Sequence, residues 1–378
     1  MVSKPRRLTV ICGLDIARAT AVAYDIAAAS PHIVHVEPSS DTEVGTIESA
    51  ARSGYIGGAS HTVVVVPWDS SGMHVSHVLS EAAAQLGETD DDYVIANALV
   101  VVVNVATFFE VLADAESGAD QRTRLHADDD RTVPEILIEQ IESADVILLD
   151  AGYRTELVEA NRVRSIAIAL NPSAHVETCV VCAFDSLGVL EHARPAMASA
   201  RRPAWLAHLD GELAVLPIDD VSIFVWRSRR PLHGQRFHDL IDAAWPGVVR
   251  VRGFFWLASR PEMIGLLDIA GSSVAVEPSG WWWAACPPGE WPADPAERRR
   301  IENSWDIDFG DRMNELVIVG YGLNEANVQR ALDACLVGEL ETTNPDGADD
   351  PFGEWDDGLD DGIRMPDHDG PPWPVMFN

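Results

Sequence analysis

His74 and His77 stand at i, i+3 at the start of the helical run Met73–Leu86, a spacing that puts both imidazoles on one helix face where they could share a Zn²⁺ ion. Two ligands do not complete a structural zinc site, and the flanking sequence supplies no others, so solvent-facing histidines near a helix start are the competing reading. Cys179-Val180-Val181-Cys182 has the spacing of a zinc knuckle or redox pair. Such a pair needs a turn to bring its sulfurs together, whereas two valines favour a strand, in which alternate side chains face opposite ways. Buried core thiols are therefore expected. No motif indicates a Ser/His/Asp or Cys/His catalytic arrangement.

The 378-residue chain contains one lysine, Lys4, which precedes the first apolar strand. A nucleotide-hydrolysing phosphate loop uses a lysine after that strand to neutralise the β- and γ-phosphates, so hydrolysis of that kind is not expected. Sixty acidic against 27 basic side chains give a formal charge of −33, a field that repels phosphate backbones and favours basic protein partners. Direct RNA contact would be limited to a local basic patch. The clearest candidate is the cluster Arg227, Arg229, Arg230, Arg236, Arg250 and Arg252, with Trp226, Trp245 and Trp256 close by in sequence. Arginine forks beside tryptophans have the composition of an interface hot spot, centred here on Arg229, Arg230, His233, Arg236, Trp245 and Trp256. The same pattern also arises when arginines flank strands while tryptophans fill a core.

Five scattered cysteines are an odd number that suits free thiols in a reducing compartment. No apolar run reaches the roughly 18 residues of a membrane span. The short apolar segment after Lys4-Pro5-Arg6-Arg7 lacks a cleavage pattern and reads as a first strand, so a cytoplasmic protein is expected.

These groups must be positioned by two kinds of element. In the first half, strand-length runs (Leu8–Cys12, His32–Val36, His61–Val66, Ala98–Val105, Asp145–Leu149, Val176–Ala183) alternate with helical ones (Ala17–Ala29, Val75–Leu86, Val133–Ile141), which predicts a mostly parallel α/β sheet over residues 1–193. Residues 194–221 read as a linker. Over 222–337, strand-like Ile223–Trp226, Val248–Leu257 and Glu315–Val319, with helical Gly234–Ala244, Pro295–Trp305 and Asn324–Leu336, predict a small α+β domain. The Asp-, Gly- and Pro-rich stretch 338–378 is expected to be an acidic tail without regular structure.

Five ordered segments carry a resemblance: Arg229-Arg230-Pro231-Leu232-His233, Trp245-Pro246-Gly247-Val248-Val249-Arg250, Gly253-Phe254-Phe255-Trp256-Leu257-Ala258, Phe309-Gly310-Asp311-Arg312 and Ala331-Leu332-Asp333-Ala334-Cys335-Leu336. Over these the chain resembles the C-terminal domain of the CobW-like GTP-binding metallochaperone family. Asp350-Pro351-Phe352-Gly353-Glu354-Trp355 looks like that family's terminal segment.

The resemblance implies a P-loop fold for the first half, but the family's chemistry is eroded there. Gly13 is followed at the phosphate-loop spacing by Arg18-Ala19-Thr20, Asn104 falls where a Mg²⁺-holding aspartate is expected, and Asp150-Ala151-Gly152-Tyr153 replaces the guanine-reading motif. The zinc-binding Gly-Cys-x-Cys-Cys turn falls on Gly54-Tyr55-Ile56-Gly57-Gly58, which has no thiolate. A degenerate, non-enzymatic P-loop domain without cofactor is expected; the alternative is that Arg18 replaces the loop lysine in a weak nucleotide site. The eroded pattern is similar to an actinobacterial branch that recruits a ribosome hibernation factor under zinc starvation. That branch implies the ribosome, small subunit included, and the hibernation factor as partners, and lowered translation as the outcome. A zinc-delivering GTPase, or the inactive regulatory partner of one, is the competing function.

Overall fold

The computed structural model describes residues 6–36, 43–87, 94–113, 130–153, 155, 157–180, 203–214, 218–243, 245–338, 350–353 and 355. It divides into two compact units, the first built mainly from residues up to Ala207 and the second mainly from Ser222 onward.

The first unit is a six-stranded parallel sheet in the order β2-β3-β1-β4-β5-β6. Its strands are β1 (Arg6–Cys12), β2 (Ile33–His35), β3 (His61–Val65), β4 (Val94–Asn104), β5 (Val146–Asp150) and β6 (His175–Cys179). The helices between them are α1 (Ile16–Ala28), α2 (Glu43–Ile56), α3 (Gly72–Gly87), α4 (Phe108–Ala113), α5 (Val133–Ser143) and α6 (Leu157–Leu170). β3 and β5 are buried along their whole length, as a parallel sheet covered by helices requires. α2 and α6 escaped the sequence reading. α6 mixes Glu159, Asn161, Arg162 and Arg164 among its apolar residues, which blurs a helical period. α5 opens with the reciprocal Thr132/Glu135 capping box and Pro134 in its first turn, a start legible in the sequence.

The expected linker 194–221 is corrected in part. It contains the short helix α7 (Ala204–Leu209), which buries Trp205 and His208, and its last residue already belongs to β7 (Val221–Ser228).

The second unit is a five-stranded sheet in the order β10-β9-β8-β11-β7. Here β8 (Val248–Phe255) runs antiparallel to both β9 (Met263–Ala270) and β11 (Asn314–Tyr321), and β10 covers Ser273–Trp281. Gly253 in β8 is required by packing, because a Cβ there would come within 2.0 Å of the Glu315 carbonyl oxygen on β11. α8 (Gly234–Asp242) and α10 (Glu325–Cys335) pack against each other, and α9 spans Pro295–Ser304. The core gathers Trp226, Phe237, Phe255, Leu316 and Leu332.

Trp355 joins that same core, with Phe352 packed against it. Ahead of them, Asp350 accepts hydrogen bonds from Arg260 Nε at 2.7 Å and Ser259 Oγ at 2.6 Å. The Arg260 guanidinium also lies 4.3 Å from the Trp355 ring centroid. The region read as an unstructured tail from 338 therefore contains a docked segment. Two aromatic side chains give it apolar contact with the domain, and the partly buried Arg260–Asp350 ion pair fastens it in place.

Candidate nucleotide-site remnant and arginine cluster

Between β1 and α1 only Gly13, Leu14 and Asp15 intervene. Residues 16–20, which would form the rest of a phosphate loop, are instead the first turn of α1. Asp15 caps that turn: its Oδ1 accepts the Arg18 N–H at 3.2 Å, and its carbonyl accepts the Ala19 N–H at 3.1 Å. A helix N-terminus binds phosphate through free N–H groups and the positive end of its dipole. Here a carboxylate of the same chain takes that place. Gly13 is needed for close approach, since a Cβ would meet the Val102 carbonyl oxygen of β4 at 2.4 Å.

The Arg18 side chain is held by two carboxylates. Its Nε donates to Asp15 Oδ2 at 2.9 Å, and its Nη1 pairs with Asp150 Oδ2 at the end of β5, reaching past the end of β4 to do so. Asp150 is 2% exposed, and its other oxygen accepts the Gly152 N–H at 3.1 Å. Asn104, paired with Asp150 in the strand register, turns its Oδ1 to the Ala106 N–H at 3.2 Å and caps a short 3₁₀ turn. The three stations expected to contact phosphate, metal and base are thus bonded to one another or to adjacent backbone. Thr20 lies inside α1, a half-buried helical residue.

A cleft of about 620 Å³ opens at the carboxyl ends of β1 and β4, the position where doubly wound sheets bind ligands. Trp68, Val102, Phe108 and Leu137 give it apolar walls; its charged lining residues are Asp15 and Glu110, and no Arg, Lys or His lines it. That charge opposes a polyphosphate. The residues present do not fit a Mg²⁺–nucleotide.

The zinc turn fares alike. Gly54 ends against β3, where a Cβ would sit 1.8 Å from Thr62 Oγ1, and Gly57 and Gly58 form the turn after α2. Among the described residues no group of three or more His, Cys, Asp or Glu could hold a metal ion. His74 and His77 are exposed in the first turns of α3, and His77 Nε2 lies 3.5 Å from Glu81 Oε1. Cys179 is buried at the end of β6, where burial and then the Glu177 charge push its thiol up to about 11. Cys182 lies outside the described residues.

The structure places the arginine cluster inside its own domain, which corrects the expectation of a free positive docking face. Arg229 donates to the carbonyls of Ser304, Gly310 and Arg312 at 2.7, 3.2 and 3.3 Å, and Arg230 donates to the Val337 carbonyl from both Nε and Nη2. Arg236 reaches the Ala334 carbonyl at 3.3 Å, Arg227 pairs with Glu315 at 2.8 Å, and Arg250 and Arg252 both face Asp268. His233 precedes α8 and donates its backbone N–H to the Cys335 carbonyl at 2.9 Å. The Trp245 indole donates to the Leu240 carbonyl at 2.6 Å, and Trp256 is 6% exposed. These side chains are used within the domain, joining strand to strand, helix to helix and turn to turn. Sequence spacing could not distinguish that use from solvent display, because the arginines' partners are all distant in sequence.

Residues 221–336 match the family described as "Cobalamin synthesis protein cobW C-terminal domain". Zinc-regulated GTPase metalloprotein activator 1 of Dictyostelium discoideum is 30% identical over 263 residues, covering 66% of this chain and 54% of that protein. Zinc chaperone Rv0106 of Mycobacterium tuberculosis is 32% identical over 251 residues, 64% of this chain and 59% of the relative. The chain thus matches a little over half the length of these curated relatives. The Zn(II)-bound YjiA GTPase from E. coli aligns over 89% of this chain with 14% identity and a TM-score of 0.34, a value too low to carry weight. No helix among the described residues is long and apolar enough to cross a membrane. Residues 221–336 are therefore a CobW C-terminal domain, and the chain is a homologue of zinc-regulated GTPase metalloprotein activators and zinc chaperones.

Proposed function

We propose that this chain serves zinc homeostasis as a non-hydrolysing CobW homologue, acting as the inactive regulatory partner of an intact CobW-like zinc chaperone. One observation carries the reading: Arg18 is locked between Asp15 and Asp150 over a phosphate loop that has been wound into helix. An arginine held by two carboxylates offers no net positive charge to a triphosphate, and the N-cap carboxylate repels it. The relatives' names support the zinc setting.

Those names also favour a second reading, a zinc chaperone that hydrolyses GTP itself. Phosphate release from GTP and Mg²⁺ separates the two. The regulatory reading expects background release from this chain alone and a changed rate when it is added to an intact CobW-like chaperone. Release by this chain alone that disappears in Arg18→Ala would establish the second. Recruitment of a ribosome hibernation factor rests on the resemblance alone, and the arginine face expected to serve it is engaged within the domain.

A further inference from the structure

The described arginines of the second unit that make no hydrogen bond or ion pair with described residues include Arg299 and Arg300, which the cluster reading passed over. They lie on α9 after Arg298, and all three are exposed. Three positions after α9 ends, Ile307 is 95% exposed at the tip of a tight turn. Such a side chain on a loose loop would be unremarkable, but this turn is braced. Asp306 and Gly310 exchange backbone hydrogen bonds at 2.7 and 2.9 Å, and Asp306 Oδ1 accepts the N–H groups of Asp308 and Phe309 at 2.8 and 3.1 Å. From beneath, Arg229 grips the carbonyls of Ser304, Gly310 and Arg312, and Phe309 packs edge-on against Trp256 with centroids 5.9 Å apart.

Beside the turn, Trp305 is 42% exposed and stacks at a tilt with Trp291, 5.3 Å between centroids. The surface thus presents a rigid aliphatic tip, an aromatic shelf and two arginines, Arg299 and Arg300, that have no partner among the described residues. A preorganised apolar side chain loses little entropy on docking, which is what makes such a tip useful in an interface.

The same surface also carries unengaged exposed acids, Glu302 and Asp308. That mixture disfavours nucleic acid, whose phosphates would meet carboxylates as well as arginines. It is self-complementary: a two-fold contact would set Arg299 and Arg300 of one copy against Glu302 and Asp308 of the other and seat each Ile307 on the opposite tryptophan shelf. We propose that the Ile307 turn and the exposed face of α9 form a homodimer interface, occupied by a second copy of this chain. The inference is independent of whether the first domain binds nucleotide.

Sedimentation equilibrium of the full chain tests it. The wild type is expected to dimerise in the micromolar range, and Ile307→Asp to weaken association by about tenfold or more, with circular dichroism unchanged because the side chain makes no core contact. Arg299→Glu/Arg300→Glu should also lose the dimer. Mixing that variant with Glu302→Arg/Asp308→Arg should restore a heterodimer. A monomeric wild type up to about 100 μM, or variants that associate as the wild type does, would overturn the proposal.

Discussion

Arg18 and Asp150 are 132 residues apart in sequence and form a direct ion pair that joins the first turn of α1 to the end of β5. Asp150 is almost fully buried, and that guanidinium offsets the cost of burying its carboxylate. Replacing Arg18 by Ala should lower the stability of the first domain by about 3 kcal/mol, because an unpaired buried carboxylate remains. Arg18→Ala/Asp150→Asn should recover part of the loss. A double-mutant cycle by urea denaturation reads the coupling, and additive losses would show the pair to be inert.

Reversing Arg229 and Arg230 to glutamate should unfold or loosen the CobW C-terminal domain rather than merely alter its surface charge. Five hydrogen bonds to carbonyls are lost, and carboxylates are brought up to four carbonyl oxygens. A loss of about 3 kcal/mol or more is expected, measured as the midpoint of tryptophan-monitored unfolding. A variant with wild-type stability would return these residues to the role of surface ligands.

The docked terminal segment should also be necessary for stability. Trp355→Ala is expected to cost about 3 kcal/mol, the usual cost of emptying a buried aromatic site. Burial alone would raise the Asp350 carboxyl, but hydrogen bonds from Arg260, Ser259 and the Phe352 N–H, with the Arg260 charge, hold it below the ordinary carboxylate range. Its contribution is therefore present above the unfolded value of about 3.9 and is lost as pH falls through the lower folded value. Trp355 fluorescence should report release only in strong acid, and undocking at pH 5 would contradict this.

A second acid response arises in the first domain. His61 on β3 lies 2.8 Å from Thr9 Oγ1 on β1, and burial, with a smaller effect of Arg7, pushes its pKa down to about 4. The unfolded chain takes up this proton first, near 6.5, so stability should fall by up to about 3 kcal/mol as pH drops from 6.5 to 4. His61→Gln keeps hydrogen-bonding atoms but cannot titrate, and should flatten that part of the pH–stability curve. An unchanged slope in the variant would place the acid sensitivity elsewhere.

The alternation of valine-rich runs and helical stretches made the parallel sheet legible, and the five ordered segments between Arg229 and Leu336 pointed to the family that residues 221–336 match. Even the fate of the phosphate loop had a local signal: Asp15 three residues before Arg18, at the head of the alanine-rich run, is an N-cap pattern. What could not be read were pairings across long sequence distances, such as Arg18 with Asp150, Arg229 with the 304–312 turn and Trp355 with the core. Each depends on tertiary register, and the residue types alone suit a solvated surface equally well. Arg298–Arg300 escaped notice because their acidic neighbours masked them in the charge pattern.

The most direct test of the central claim is titration of the purified chain with a fluorescent GTP analogue and Mg²⁺. A phosphate loop wound into helix, capped by Asp15 and with Arg18 neutralised, predicts no saturable binding up to about 1 mM nucleotide, weaker than roughly −4 kcal/mol. Saturable micromolar binding that Arg18→Ala abolishes would contradict it, since Arg18 would then be a working phosphate ligand.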